Sequence, residues 1–316
     1  MRKFLLNIII VGLVAATILS LLTWMGVRRI DHTSFRLPDD IHLIAFGPST
    51  MQGSVNDTLI AGLINFSRDG TTFEYTVPLL PRLLEENPQI DTVYISHGRF
   101  LYMPKPMIDA TQEMQYIRDK FPFIWYKRYL SDYGSLFKKA NFYAAILNSD
   151  LEEISRNRSS IMDYGFHFYS DASHNLKDST KYWSIAWYDS ITEIHGGNVY
   201  TKEELLEKNA KIDKYARMAI SICKSHNVVP VLLFTPLYHY DRWFPYDTFC
   251  EVMRDYDPEL LVADYENFEF SDDSLCRRDV HHLNIWGANE FSKHLAKNGI
   301  QTVKLKDWIS SKTQEK

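Results

Sequence analysis

Short apolar runs alternate with longer amphipathic segments along most of this chain. Such runs predict buried strands at residues 42–46, 63–66, 91–96, 228–234 and 260–263. Apolar positions recur at helical spacing over 73–87, 202–226 and 285–296. Val303 and Leu305 predict an edge strand before a short tail. The alternation predicts an α/β fold in which helices cover both faces of a parallel sheet, that is, a three-layer α/β/α sandwich.

The apolar run at the N-terminus is of a different kind. Residues 4–24 have Asn7 and a few hydroxyls as their only polar members, and a bilayer span needs about 20 apolar residues. We therefore predict an uncleaved, single-pass membrane anchor over residues 1–25, with a cleaved signal peptide as the alternative. Arg2 and Lys3 beside the amino terminus favour an N-terminus inside the cell and an extracytoplasmic or periplasmic body.

The rest of the chain is predicted to form a linker and one domain. Residues 26–40 are polar and contain Pro38, which is typical of a linker, and residues 41–316 form the domain. The stretch from about 105 to 197 does not follow the strand–helix alternation and predicts a helical insertion. The net charge of −5, without a long basic run, argues against nucleic acid as a partner.

The cysteines give no sign of a metal or redox site. The chain has three, and none stands in a C-x-x-C pair. We therefore predict neither a metal nor another cofactor. Cys223 falls in an apolar helical pattern and is predicted to be buried, whereas Cys250 and Cys276 either pair or stay free.

A serine, a histidine and an acid stand where nucleophilic catalysis would place them. Ser49 follows the first predicted strand, and Asp279 stands three residues before His282 in the loop that leads into the last predicted core helix. A serine hydroxyl needs a base to become a nucleophile, and the base needs a partner that fixes its tautomer. The pattern predicts the triad Ser49–His282–Asp279. Taken alone, Asp279 is also a candidate N-cap for that helix.

The ends of the predicted strands also offer donors for an oxyanion. The candidates are the backbone N–H groups of Ser49 and Gly70 and the side-chain amide of Asn65. His97, after the third strand, is a further candidate donor or a structural loop histidine. His239 follows the fourth strand, where a substrate-binding loop is expected.

These blocks together resemble the SGNH/GDSL hydrolase superfamily. The chain looks most like its membrane-anchored branch, which includes the D-alanine transfer protein of teichoic acid synthesis and the acetyltransferases of exopolysaccharide export. The resemblance covers about residues 41–100 and 200–300. The blocks that carry it are residues 46–50, 65–70, 231–236 and 279–288.

The resemblance implies a flavodoxin-like three-layer fold and an enzyme with an acyl-serine intermediate. Its expected substrate is an acyl ester of a carbohydrate or cell-envelope polymer, and a membrane-bound O-acyltransferase is a candidate partner. Whether water or a sugar hydroxyl accepts the acyl group stays open. Pro48 stands where the family usually carries Asp, and residues 96–99 replace its Gly-x-Asn-Asp block. A non-catalytic binding or assembly factor on the same fold is therefore the alternative.

Overall fold

The computed structural model describes residues 1–31, 34–68, 73–97, 201–238, 247–279 and 281–314. The chain divides into two compact units, Met1–Phe35 with Ile108–Asp163, and Arg36–Met107 with Tyr164–Lys316. Apart from the first helix, every element below belongs to the second unit. The helical insertion predicted at about 105–197 lies outside the described residues.

The described part of the first unit is one long helix, α1 (Arg2–Asp31). It continues beyond the predicted anchor into the predicted linker, and apolar side chains such as Phe4, Ile8 and Val11 are exposed along it. Within the described ranges, no helix reaches the length and apolarity of a membrane span. The membrane anchor and the extracytoplasmic location stay predictions from the sequence.

The second unit is built on a six-stranded sheet with the strand order β2-β1-β3-β4-β5-β6. The strands are β1 (Leu43–Phe46), β2 (Leu63–Asn65), β3 (Thr92–Ile95), β4 (Val229–Phe234), β5 (Leu261–Asp264) and β6 (Val303–Lys304). Neighbours pair in parallel, except that β6 runs antiparallel to β5. Every predicted strand is present within a residue or two of its expected bounds. The α/β class with a mostly parallel sheet is confirmed.

The central strands are apolar because both of their faces are covered. In β4, Val231 and Leu233 join a core cluster with Phe291 and Leu295 of α6 (Ile285–Asn298). The residues between them point to the opposite face, and they are buried as well. That burial is compatible with a three-layer sandwich. The other described helices are α2 (Ser49–Gln52), α3 (Phe73–Glu86), α4 (Lys202–Ser225), α5 (Asp247–Tyr256) and α7 (Leu305–Gln314).

Helix ends follow the expected capping chemistry, but three of the described helices, α2, α5 and α7, were not predicted. Thr201 and Glu204 form a capping box at the start of α4. The segment after β6 is the helix α7, and the prediction of a short tail there was wrong. Trp308 explains this helix, because its ring is buried and its Nε1 donates to Asp264 Oδ2 at 2.8 Å. In α5 the buried residues Phe249, Cys250, Val252 and Met253 recur at helical spacing, so a short amphipathic signal for this helix was present in the sequence.

The cysteines are free thiols in the structure. Cys223 and Cys250 are buried, and Cys276 is half-buried, so the pairing of Cys250 with Cys276 is not observed. Burial raises the pKa of Cys223 to about 12. Among the described residues, no group of three or more His, Cys, Asp or Glu side chains is placed to hold a metal ion.

Candidate active site

The predicted nucleophile stands directly after β1. Gly47 turns the chain and Ser49 begins the one-turn helix α2. A Cβ on Gly47 would lie 2.7 Å from the Cβ of Met51 and 2.8 Å from that of Ser96. These distances are shorter than carbon atoms tolerate, so the turn requires glycine. It places Ser49 at the carboxyl end of the sheet, where open α/β sheets hold their active sites.

His282 lies between Ser49 and Asp279 and contacts both. Its Nε2 is 2.8 Å from Ser49 Oγ. Its Nδ1 is 2.7 Å from Asp279 Oδ1 and 2.9 Å from Oδ2. In this arrangement the carboxylate accepts a hydrogen bond from Nδ1–H, and Nε2 is left to take the serine proton. The structure thus brings all three predicted catalytic residues together.

The carboxylate of Asp279 is fixed by the backbone that follows it. Its Oδ1 accepts hydrogen bonds from the N–H groups of His281 and His282, each at 2.9 Å. Burial raises the pKa of Asp279, but His282, Arg278 and His281 outweigh burial and hold this pKa well below its usual range. The carboxylate is therefore ionised at neutral pH, as the orienting member of a triad must be.

A short antiparallel bridge closes the loop that carries the acid and the base. Arg277 pairs with Leu283 across the loop. The backbone N–H of Arg278 donates to His282 O at 3.0 Å. Because both ends of the loop are paired, the separation of Asp279 and His282 is set by main-chain geometry.

Asn284, directly after this loop, caps the last core helix. Its Oδ1 accepts from the backbone N–H of Trp286 at 3.1 Å and of Gly287 at 3.0 Å, and its Nδ2 donates to Leu275 O at 2.6 Å. The N-cap of α6 is therefore Asn284. The N-cap alternative for Asp279 was wrong, which leaves that carboxylate available to the histidine.

A buried polar network connects the segment after the nucleophile to α6. The backbone N–H of Asn56 donates to Ser292 Oγ at 2.8 Å, and Asn56 Nδ2 donates to Asn289 Oδ1 at 2.8 Å. Ser292 Oγ in turn donates to Ser54 O at 3.3 Å. Hydrogen bonds thus connect the segment that follows the nucleophile with the helix that follows the base. Sequence reasoning missed these residues, because their partners lie more than 230 positions away.

The predicted oxyanion role of Asn65 is not what the structure shows. Its Nδ2 donates to Val55 O at 2.8 Å and to Met51 O at 3.3 Å, and its Oδ1 accepts from Ser67 N at 3.0 Å. Asn65 is buried. The amide is engaged with carbonyls of the segment that follows Ser49, so it supports the nucleophile turn instead.

His97 occupies an aromatic stack after β3. Its ring centroid lies 5.1 Å from that of Phe73 and 5.6 Å from that of Phe249, and the residue is buried. Such stacking is expected of a structural loop histidine, and the role of His97 as an oxyanion donor stays a prediction. Gly70 and His239 lie outside the described residues, so their predicted roles stay predictions, as does that of the Ser49 backbone N–H.

Comparison of the chain with protein-family models and with curated proteins finds no match. A functional proposal therefore rests on the geometry of Ser49, His282 and Asp279. The resemblance to SGNH hydrolases rests on the sequence blocks alone.

Proposed function

We propose that this protein is a serine-dependent acyl-ester enzyme. Ser49 is the nucleophile, His282 the general base, and Asp279 the residue that orients the base. The observation that carries the proposal is the pair of contacts at His282, 2.8 Å to Ser49 Oγ and 2.7 Å to Asp279 Oδ1. A serine hydroxyl becomes a useful nucleophile when a base with a fixed tautomer lies at hydrogen-bonding distance.

The proposed reaction runs through an acyl-serine. Ser49 Oγ attacks the ester carbonyl carbon while His282 Nε2 takes the hydroxyl proton. The imidazolium, stabilised by Asp279, returns that proton to the departing alcohol as the acyl–oxygen bond breaks. Water, or a sugar hydroxyl in a transferase, then attacks the acyl-Ser49 carbonyl with His282 again as the base. The bond between the acyl carbon and Ser49 Oγ breaks as His282 returns the proton to Ser49.

The order of these residues along the chain supports a place in the SGNH/GDSL superfamily. The serine follows the first strand, and the Asp-x-x-His sequence precedes a late helix that packs on the sheet. We extend the proposal to acyl esters of a carbohydrate or cell-envelope polymer, processed outside the cytoplasm. The non-catalytic alternative has no need of contact between Ser49 and His282, and their hydrogen bond favours the enzyme.

A fluorophosphonate probe tests the proposal on the full chain. We expect labelling at Ser49, none in Ser49→Ala, and a rate lower by about 10³-fold or more in His282→Ala. Ser225→Ala is the matched control, because Ser225 is an exposed serine in α4, and it should label like the wild type. Unlabelled wild-type protein, or undiminished labelling of Ser49→Ala, would refute the proposal.

A further inference from the structure

A buried arginine stands at the base of the catalytic loop, residues 277–283, which carries Asp279 and His282. Arg277 is 0% exposed, and its main chain pairs with Leu283 in the bridge that closes this loop. Leu283 is 1% exposed and belongs to the apolar core cluster. The two residues that frame the acid and the base are therefore both buried, but one of them is a cation.

The guanidinium of Arg277 contacts two segments outside the catalytic loop. Its Nε donates to Ser271 O at 2.8 Å, in a turn where the N–H of Ser271 donates to Phe268 O at 2.7 Å. Its Cζ lies 5.9 Å from the centre of the Tyr238 ring, within the range of a cation–π contact. The side chain thus connects the catalytic loop with the turn that precedes it and with the segment that follows β4.

Both contacts lead to well-anchored parts of the fold. Phe268 packs edge to face against Phe291 of α6, with ring centroids 5.4 Å apart, so the turn that contains Ser271 is held on the core. Tyr238 stands four residues after the end of β4, a central strand of the sheet. The guanidinium therefore holds the main chain of Arg277, where the catalytic loop begins, against the core.

Packing alone does not explain an arginine at this position. A cation is costly to bury, and apolar side chains of similar volume often stabilise a fold at least as well as buried charges do. Burial and the charge of Asp272 raise the pKa of Tyr238, so its ring is uncharged at neutral pH and meets the guanidinium as a π-face. What arginine adds to volume is direction, because its planar fork is oriented by a carbonyl and a ring together.

We propose that Arg277 is a positioning residue for the acid and the base. Its anchored side chain fixes where the catalytic loop leaves the core, and thereby holds His282 Nε2 at 2.8 Å from Ser49 Oγ. The inference rests on the proposed function and deepens it, because it names a group outside the triad that aligns the base. Arg277 has no exposed surface, so it acts through the loop and not by contact with the ester.

Arg277→Met in the full chain tests this role through the rate of fluorophosphonate labelling of Ser49. Methionine fills the space with a flexible apolar chain and removes both anchoring contacts. We expect the maximal labelling rate to fall by about 10²-fold, the effect of misplacing a group by about 1 Å. The probe concentration that gives half of the maximal rate should not change. A merely structural residue would lower the Tm and leave the labelling rate of the folded protein as in the wild type.

Asn87→Leu is the matched control, because it removes another buried polar side chain. Asn87 is 1% exposed, its Nδ2 donates to Leu83 O at 2.7 Å, and its Oδ1 accepts from the N–H of Leu37 at 2.6 Å. It precedes β3, at the edge where the strands begin, whereas Ser49 stands where β1 ends. The folded control should label at the wild-type rate. An equal slowing in both variants would overturn the inference, because general destabilisation would then account for it.

Amide hydrogen exchange measures the order of the catalytic loop without the reaction. The N–H groups of Arg278, His281 and His282 are hydrogen-bonded within the loop. They should exchange faster in Arg277→Met than in the wild type or in Asn87→Leu. Unchanged exchange, or an unchanged labelling rate, in Arg277→Met would overturn the inference and leave the proposed function standing.

Two further outcomes are also decisive. If the wild type is not labelled, the proposed function fails, and hydrogen exchange alone decides whether Arg277 positions the loop. If methionine prevents folding, Arg277→Lys takes its place, because lysine keeps the charge and a donor but lacks the planar fork. Its labelling should then be slower than that of the wild type, and an equal rate would overturn the inference.

Discussion

Replacing Asn284 by alanine should destabilise the fold through the start of α6. The change removes an oxygen that accepts from the backbone N–H groups of Trp286 and Gly287. It also removes the Nδ2 group that donates to Leu275 O. Asn284 is 1% exposed, so water cannot take over these bonds without opening the structure.

The magnitude follows from those two losses. An N-cap of this kind contributes about 0.5–2 kcal/mol. A buried carbonyl left without its donor costs about 1–3 kcal/mol. We therefore expect Asn284→Ala to lower the free energy of unfolding by about 2–4 kcal/mol, which in a protein of this size lowers the Tm by roughly 5–12 °C.

Thermal unfolding of the full chain, followed by circular dichroism, measures this effect. Asn284→Ser is the matched variant, because a serine oxygen can cap the helix but cannot donate to Leu275 O in the same way. Its Tm should fall between those of the wild type and Asn284→Ala. If alanine and serine lower the Tm equally, the cap is not the source of the stability, and an unchanged Tm in both contradicts the whole assignment.

Other residues give predictions of the same kind. Gly287→Ala should lower the free energy of unfolding by about 1–3 kcal/mol, because the new Cβ would lie 2.3 Å from Cys276 O. A Tm equal to that of the wild type would contradict this. Asp279→Asn should slow labelling of Ser49 at neutral pH by about 10⁴-fold, and an equal rate would exclude Asp279 from the triad. The pKa of Asp279 is lowered in the folded chain, so its carboxylate stabilises the fold above about pH 4 and loses this effect as the pH falls further. Below that pH, the Tm of Asp279→Asn should therefore fall less steeply than that of the wild type. Equal slopes in the two proteins would contradict this role of Asp279. Burial raises the pKa of Cys223 to about 12, and Cys250 is buried, so a thiol reagent at mildly alkaline pH should modify these two only on unfolding; rapid modification of Cys223 or Cys250 in the native protein would contradict this.

The local hydrophobic pattern of the sequence determined the main strands and helices of this protein. The apolar run at 228–234 became β4 (Val229–Phe234), and the amphipathic pattern at 202–226 became α4 (Lys202–Ser225). Both follow from periodicity, which is set by neighbours in the chain. The pairing of Asp279 with His282 was predictable for the same reason, because a separation of three residues lets both side chains meet within one turn.

Partners that are distant in the chain had to come from the tertiary structure. The position of Asn65 at a strand end fits both an oxyanion donor and a support of the nucleophile turn. Only the fold shows that its amide binds Met51 O and Val55 O. Ser292 looks like an ordinary helix serine until the fold brings Asn56 to its hydroxyl. The strand or helix pattern fixes which face a side chain occupies, but not which atom it meets there.

The site shows the same division. Sequence order predicted that Ser49 and His282 would meet, because a strand end and a late loop share the carboxyl edge of a parallel sheet. It was silent on Arg278, whose guanidinium was one more charge in a polar loop. Only the folded loop places that charge against Asp279 and His282. The strength of an electrostatic interaction depends on distance and burial, and the local sequence determines neither of them.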